Sequence, residues 1–268
     1  MILTRVLTGL TLIVAVYLVV FHSPRLIFFL LVLAAIFLSL REFYQLVIPE
    51  AAFLGKLVGM LLALGMATLI YLDQYSLAVN ILALGIILLA AINMVGSGEL
   101  VAALANTGLI LLGTLYAGLL LTFLIVIRNS NQGQELVFLV FLLTWAQDVA
   151  AFFVGRAWGS RKLYPRLSPG KTWEGFLAGL LVSALVAVIS WPFLVRELSL
   201  LVRLFLGLGV GLIGPLGDLF ESMIKRSAGA KDSGRLLPGH GGLLDRLDSL
   251  LFSAPFAYLY LRVFLPLG

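Results

Sequence analysis

The chain has 268 residues, of which 62% are hydrophobic and only 12% are charged, and its mean hydropathy is +1.12. Soluble domains carry roughly 45–50% apolar and about 25% charged residues, so this composition excludes an ordinary soluble domain and indicates an integral membrane protein. Cysteine is absent, which excludes a disulfide framework, thiolate chemistry and cysteine-bound structural zinc. The net charge of +5 fits basic cytoplasmic loops better than it fits nucleic-acid binding, and no nucleic-acid partner is expected.

Nine apolar segments have the composition of membrane-spanning helices, which need about 20 apolar residues each. These segments are apolar on all sides, whereas barrel strands alternate in polarity. The predicted fold class is therefore all-α, a polytopic transmembrane helical bundle with about nine spans. The first segment is interpreted as a retained span, because no cleavage site of the A-x-A type follows it. The predicted spans are 6–21, 26–40, 53–72, 77–95, 102–127, 136–154, 175–195, 200–220 and 250–265.

The basic residues predict the orientation of the chain in the membrane. With nine spans, 13 of the 18 Lys and Arg residues fall in loops on one side of the bilayer. The positive-inside rule places that side and the N-terminus in the cytoplasm. The two most polar loops, 155–173 and 222–248, then lie on the same face, which predicts a polar active-site cleft open to the cytoplasm. Residues 1–135 would form the first five spans and 136–268 the spans with the polar motifs, within one domain of the cytoplasmic (inner) membrane.

Five of the acidic residues in or beside the apolar spans are candidates for a chemical role. Asp218 and Glu221 are spaced i, i+3 at the end of one span, Asp245 and Asp248 have the same spacing before the next, and Asp148 lies within the sixth. Acids at membrane depth are costly and usually mark ion, proton or substrate sites. Carboxylates without nitrogen or sulfur partners suit Mg²⁺. For the pair at 245 and 248, helix capping with ion pairing is the alternative.

Basic residues and glycines alternate with these acids in two loops. The first is the polar stretch 222–249, SMIKRSAGAKDSGRLLPGHGGLLDRLDS, and the second contains SPGKTWEG at 168–175. A basic run alone often faces anionic lipid headgroups, but the alternation with acids favours phosphate binding. Glycines beside His240 would let backbone amides approach a phosphate, and Thr172 is a candidate cap for a helix whose start could hold an anion. The candidate cations are Lys171, Lys225, Arg226, Lys231 and Arg246.

Three further features have less specific interpretations. The glycines of LGLGVGLIGPLGD at 206–218 fit either close helix packing or a ligand that approaches the backbone. His22 lies on the opposite face and receives no chemical role. Glu42, in LREFYQL, either pairs with Arg41 or lies near a substrate headgroup.

Together the residues predict an intramembrane site for phosphoryl or nucleotidyl transfer to a lipid. An ion-coupled transporter would account for the intramembrane acids but not for the dense basic loops. A lipid kinase or polyprenol-phosphate transferase of similar layout is compatible with the same residues, and so is a non-enzymatic lipid-binding scaffold.

The run 222–248 resembles the signature of the CDP-diacylglycerol synthases, or phosphatidate cytidylyltransferases. It has Ser222, then KR, then KD, then PGHGG and DRLD at that family's spacing. The resemblance implies that CTP and phosphatidate give CDP-diacylglycerol and pyrophosphate in a polytopic, Mg²⁺-requiring enzyme that forms a homodimer.

The same resemblance implies roles for individual residues. The expected metal ligands are Asp218 and Asp245, with Asp148, Glu221 and Asp248 as lesser candidates. The expected catalytic residues are Asp218, Asp245, Lys225, Arg226, Lys231 and Asp248. The expected substrate-binding residues are Lys171, Ser222, Asp232, His240, Gly241, Gly242 and Arg246.

Overall fold

The computed structural model describes residues 13–48, 53–96, 99–234, 236 and 241–265. Its helices in chain order are α1 (Ile13–His22), α2 (Arg25–Val47), α3 (Phe53–Tyr71), α4 (Tyr75–Gly96), α5 (Leu100–Gly113), α6 (Leu120–Asn129), α7 (Gly133–Trp158), α8 (Trp173–Ile189), α9 (Leu200–Ser227) and α10 (Leu244–Leu261). A π-helical segment, Thr114–Leu119, joins α5 to α6, and two strands, β1 (Lys162–Tyr164) and β2 (Ser168–Thr172), lie between α7 and α8.

Six of the described helices are long and apolar enough to cross a membrane, which confirms a membrane protein of the helical class. They are α2, α3, α4, the continuous helix Leu100–Asn129, α7 and α9, while α1 and α8 are apolar but shorter. Each of the nine predicted spans overlaps a described helix. The predicted end of the eighth span was too early, since α9 continues beyond residue 220 to Ser227, whereas the predicted end of the seventh span at 195 was too late, since α8 ends at Ile189. The start of the first predicted span, and with it the question of a leader peptide, lies outside the described residues.

A two-stranded antiparallel hairpin follows α7, where the sequence predicted only a polar loop. Lys162 lies opposite Thr172, and Tyr164 lies opposite Ser168. Thr172 ends the hairpin and begins α8, because its side-chain oxygen accepts a hydrogen bond from the Gly175 N–H at 3.2 Å. The predicted helix cap is therefore confirmed, and it fixes the hairpin to the first turn of α8.

Glu174 ties the other end of the hairpin to the same turn. Its carboxylate accepts hydrogen bonds from the Ser160 hydroxyl at 2.6 Å and from the Arg161 N–H at 3.2 Å. The bond from Ser160, together with backbone N–H groups, lowers the pKa of the Glu174 carboxyl to about 2. The carboxylate is therefore ionised at neutral pH and keeps these contacts.

Glycines let α9 pack closely against two neighbouring helices. A Cβ at Gly207 would collide with the backbone of Ala184 in α8, and a Cβ at Gly217 would collide with the carbonyl oxygen of Asp248 in α10. Close packing is therefore the role the structure gives these two glycines, in agreement with the first of the two interpretations. The contact at Gly217 brings Asp218 of α9 beside Asp248 of α10.

The π-helical segment attaches the N-terminal helices to this C-terminal group. It presents Tyr116, which is 3% exposed, to the aromatic rings of Phe220 and Phe252, with centroid distances of 5.0 Å and 6.2 Å. The segment widens the helix locally, and such segments are frequent at functional sites.

Candidate active site

The candidate site lies at one end of the bundle. This end collects the last turns of α2, α7 and α9, the first turns of α8 and α10, and the hairpin. A direct contact joins the two predicted polar loops there, since Nε of Arg226 donates a hydrogen bond of 3.4 Å to the carbonyl oxygen of Leu167. The described parts of these two loops therefore lie at the same end of the bundle, and the face of the membrane on which that end lies stays a prediction.

Asp218 is paired with the lysine that the hairpin supplies. The Nζ atom of Lys171 lies 2.7 Å from Oδ2 of Asp218, and the two side chains are 23% and 31% exposed. The hydroxyl of Ser222, one turn further along α9, donates a hydrogen bond of 3.4 Å to Oδ1. The ion pair is thus within reach of a solute at the bundle end.

Lys225 joins two other carboxylates. Its Nζ atom lies 2.6 Å from Oε2 of Glu221 and 2.6 Å from Oδ1 of Asp245. The Glu221 side chain is fully buried and the Asp245 side chain is 9% exposed. One ammonium group therefore stands between an acid of α9 and an acid of α10, and it neutralises part of their charge where water is scarce.

The second oxygen of Asp245 binds the segment that precedes α10. Oδ2 accepts hydrogen bonds from the N–H of Gly242 at 2.8 Å, the N–H of Ser233 at 2.9 Å and the Ser233 hydroxyl at 2.9 Å. Burial raises the pKa of the Asp245 carboxyl, but the hydrogen bonds from Lys225, Gly242 and Ser233 outweigh it and hold that pKa below its usual value. Asp245 is thus a fixed anion at neutral pH.

Two glycines make room for this arrangement. Gly241 has φ of +80°, a conformation that favours glycine, and a Cβ there would lie 2.7 Å from Oδ2 of Asp245. A Cβ at Gly242 would collide with the Ser233 hydroxyl and with Glu42. The sequence predicted that these glycines bring backbone amides to a phosphate. The structure instead uses the Gly242 N–H on a carboxylate of the protein itself.

Asp248 lies between the two lysine-paired groups. Electrostatic interactions connect it with Asp218 and Glu221 of α9 and with Asp148 of α7. Ser249 bonds to both neighbouring acids, since its N–H donates to Asp248 at 2.7 Å and its hydroxyl donates to Asp148 at 3.4 Å. The five predicted acids therefore form one continuous cluster from three helices.

The cluster has the chemistry of a hard-cation site without a complete ligand shell. Five carboxylates face two lysines, and Oε1 of Glu221 is buried without a hydrogen-bond partner among the described residues. Within those residues, no three acidic or histidine side chains form a group that could hold a metal. Mg²⁺ is commonly held by one or two carboxylates together with substrate phosphates, so the donor set fits Mg²⁺ in company with a phosphate-bearing substrate.

The other predicted residues lie around this cluster. Arg226 is exposed and donates a hydrogen bond of 3.4 Å to the carbonyl oxygen of Leu167, which links α9 to the hairpin. It also donates one of 3.1 Å to the carbonyl oxygen of Ala230, just after α9. His240 lies outside the described residues. Three predicted residues are exposed at the edge of the site: Lys231, Asp232 and Arg246.

Three residues of the site had not been predicted from the sequence, and the role of a fourth, Glu42, had been left open. Ser233 and Ser249 hydrogen-bond the acids, and the buried Tyr116 hydroxyl lies within electrostatic range of four of them. Glu42 is 6% exposed and accepts hydrogen bonds at the start of α10. Its position at the end of an apolar span, like that of Asp218, was the signal available in the sequence.

A cavity of about 540 Å³ lies at the other end of the bundle. It is lined by apolar residues of α1, α7, α8 and the turn after α8, among them Phe21, Phe138 and Phe193. None of the five clustered acids lines this cavity, so the cavity is separate from the candidate active site.

Fold and site together define a polytopic helical membrane protein with a cluster of carboxylates and lysines at one end of its bundle. A model of the cytidylyltransferase family matches residues 3–264, and the chain belongs to that family.

Three relatives show how far the similarity extends. A phosphatidate cytidylyltransferase of Haemophilus influenzae is 47% identical over 133 residues, which are 48% of this chain and 46% of that protein. YnbB of Escherichia coli, an uncharacterized protein, is 46% identical over 127 residues, 47% of this chain and 42% of its own length. A phosphatidate cytidylyltransferase of Bacillus subtilis is 43% identical over 128 residues, 48% of each chain. The chain thus spans about half the length of the curated relatives it matches.

Proposed function

We propose that the protein is a phosphatidate cytidylyltransferase that converts CTP and phosphatidate to CDP-diacylglycerol and pyrophosphate. The observation that carries the proposal is the convergence of five carboxylates and two lysines at one end of a membrane bundle. Membership of the cytidylyltransferase family and the names of two relatives support the choice of reaction. A transporter would not need the lysines that join separate helices at this site.

The reaction joins two anions, so charge control is its main requirement. A phosphate oxygen of phosphatidate attacks the α-phosphorus of CTP, a new P–O bond forms, and the bond to pyrophosphate breaks. The attacking phosphate is already anionic, so no general base is required. Negative charge grows on the leaving oxygens, and positive groups fixed in advance stabilise it best. Lys171 and Lys225 are the described cations at the cluster, with Arg226, Lys231 and Arg246 at its edge.

Mg²⁺ would be held by Asp218 and Asp245, with Asp148, Glu221 and Asp248 as further candidates. When bound, the ion would supply charge neutralisation for the triphosphate. Both proposed ligands are now paired with lysines, at 2.7 Å and 2.6 Å. The lysines could therefore turn to substrate phosphates when a cation takes the carboxylates, which keeps the charge of the site balanced.

The orientation proposed for the enzyme has nine spans with the site open to the cytoplasm. CTP would reach the bundle end from the cytoplasm, and phosphatidate would enter sideways with its acyl chains among the helices. A homodimer in the inner membrane, expected from the family resemblance, stays a prediction.

The reaction is tested with purified protein, labelled CTP and phosphatidate in detergent micelles. The expected products are CDP-diacylglycerol and pyrophosphate, formed only with added Mg²⁺. A lipid kinase would instead leave CDP. We expect Asp218→Asn and Asp245→Asn to reduce kcat by at least about a hundredfold, a typical loss when a transition-state charge contact is removed, while both variants remain folded by size-exclusion chromatography.

His22→Ala is the matched control, because His22 belongs to α1 at the other end of the bundle. Its kcat should equal that of the wild type. Near-normal turnover in either aspartate variant would remove that residue from the proposed metal ligands, and release of CDP in place of pyrophosphate would refute the proposed reaction.

A further inference from the structure

Glu42 of α2 is a buried acid whose partners are more than 190 residues away in the chain. Oε1 accepts a hydrogen bond from the Leu243 N–H at 3.0 Å, and Oε2 accepts one from the Leu244 N–H at 2.9 Å. The Ser233 hydroxyl lies 3.1 Å from Oε2. Glu42 contacts neither of the two lysines of the acid cluster, so its role differs from those of the paired acids there.

The two N–H groups that Glu42 binds belong to Leu243, the cap residue of α10, and to Leu244, the first residue of that helix. The opening N–H groups of a helix have no acceptor within the helix, and a carboxylate is stabilised by the partial positive charge at that end. Leu243, at the cap position, has no side-chain cap hydrogen bond. Glu42 therefore supplies from another helix the cap that α10 lacks, and it fixes the place where α10 begins.

The same segment carries Asp245, which lies in the first turn of α10. Ser233 contacts both acids, since its hydroxyl is 3.1 Å from Glu42 and 2.9 Å from Asp245. A hydroxyl has one proton and donates to one carboxylate at a time. The hydrogen bonding of Asp245 thus depends on whether Glu42 is present.

Gly242 lies close to the contact between Glu42 and Ser233. A Cβ at Gly242 would collide with both Glu42 and the Ser233 hydroxyl, so a side chain at this position would displace groups that hydrogen-bond each other. The N–H of Gly242 meanwhile binds Asp245 at 2.8 Å. The residues that lead into α10 are thus held by two carboxylates, one from each half of the chain.

We infer that Glu42 is a positioning residue. It holds the Asp245 carboxylate in its orientation through Ser233 and through the first N–H groups of α10. It holds Ser233 and the start of α10 against α2 and thereby fixes the direction in which Asp245 faces Lys225 and the substrate. The inference rests on the proposed function only for the chemistry that Asp245 performs, because the anchoring itself is independent of any substrate.

The test compares Glu42→Gln with the wild type by amide hydrogen exchange in detergent, without added metal. The amide side chain keeps the shape but can accept at only one of its two positions, so the peptide that covers 241–248 should exchange about tenfold faster or more. In turnover assays, kcat should fall by about tenfold or more, while KM for CTP stays within about twofold because the nucleotide contacts remain.

Tyr44→Phe is the matched control on the same helix. Tyr44 is buried two residues away and bonds Thr114 at 3.0 Å and the Ile110 carbonyl at 3.2 Å, far from α10 in the chain. It should alter neither the exchange at 241–248 nor kcat. Ser233→Ala keeps both backbone bonds to Glu42 and removes only the shared hydroxyl, so it tests the link to Asp245 even where Glu42→Gln fails to fold; its kcat should fall with unchanged exchange.

The outcomes separate this inference from the proposed function. Unchanged exchange in Glu42→Gln overturns the anchoring, and faster exchange with wild-type kcat overturns the positioning role. Wild-type kcat in Ser233→Ala likewise overturns the link through that hydroxyl. If the wild-type protein makes no CDP-diacylglycerol, the proposed function fails, and the exchange comparison still decides whether Glu42 holds the start of α10.

Discussion

Lys225 is the residue on which the charge balance of the cluster depends most directly. It lies 2.6 Å from both Glu221 and Asp245, and its own side chain is only 12% exposed. The removal of one partner from a buried ion pair leaves uncompensated charge, which costs more than the pair itself contributes. The two acids on either side of Lys225 would then repel each other or take up a proton.

We therefore expect Lys225→Met to lower the free energy of unfolding by about 3 kcal/mol. The double variant Lys225→Met with Glu221→Gln should recover part of that loss, because only one of the two carboxylates keeps its charge. Neither should be active, since the cation at the site is gone. Thermal unfolding in detergent with a parallel turnover assay measures both effects, and an unfolding temperature equal to that of the wild type in the single variant would contradict the argument.

At the scale of single residues, the sequence predicted the acids but not their partners. Asp148, Asp218 and Asp245 stand out because charged groups are rare beside apolar spans. The contacts of Glu42 with Leu244 and of Ser249 with Asp148 join residues 202 and 101 positions apart. No local pattern encodes such distances, so these partners emerge only when the helices pack.

At the scale of elements, the π-helical segment places a hydroxyl group in an unusual setting. Tyr116 packs against Phe220 and Phe252, and its hydroxyl is buried with no hydrogen-bond partner among the described residues. The hydroxyl of Tyr44, in contrast, bonds Thr114 at the first position of the same segment. The hydroxyl of Tyr44 therefore has a hydrogen-bond partner in the π-helical segment, whereas the hydroxyl of Tyr116 has none among the described residues.

This difference predicts opposite effects on stability. A buried hydroxyl without a partner carries a desolvation cost, so Tyr116→Phe should raise the free energy of unfolding by about 1 kcal/mol. Tyr44→Phe should lower it by about 1 kcal/mol, because a satisfied hydrogen bond is lost. The two variants are compared by thermal unfolding in the same detergent. A destabilised Tyr116→Phe variant would show that the hydroxyl has a partner in the folded protein.

The elements themselves were predictable to different degrees. Long apolar runs identify the helices because a membrane leaves few other structures for them. The hairpin had no such signal, since β1 has only three residues and β2 contains Pro169 and Gly170. The end of α9 was also missed, because Glu221, Ser222, Lys225 and Arg226 interrupt the apolar run before the helix itself ends at Ser227.

At the scale of the whole molecule, the position of α8 decides which face of the membrane each loop reaches. Six described helices are long enough to cross, and α8, with 17 residues, is about 26 Å long, shorter than the roughly 30 Å hydrocarbon core. If α8 did not cross, the turn after it would lie on the same side as the hairpin. A topology test must therefore include a position on each side of α8.

The chain has no cysteine, so a single introduced cysteine is the only thiol that can be labelled. Its labelling shows on which side of the membrane that position lies. The chosen sites are four exposed residues in loops or turns: Gln74, Arg166, Arg196 and Ala228. With nine spans and a cytoplasmic N-terminus, a membrane-impermeant maleimide added to spheroplasts should label Gln74→Cys and Arg196→Cys. It should label Arg166→Cys and Ala228→Cys only after the membrane is opened.

Each departure from that pattern has a distinct structural meaning. Labelling of Arg166→Cys from outside would invert the proposed orientation and remove the site from the cytoplasmic supply of CTP. Protection of both Arg166→Cys and Arg196→Cys would show that α8 does not cross the membrane. The hairpin contacts Asp218 and the Leu167 carbonyl accepts from Arg226, so the positions 166 and 228 must report the same side. A split between those two would contradict the assembled site, because its lysines and its acids could not then meet.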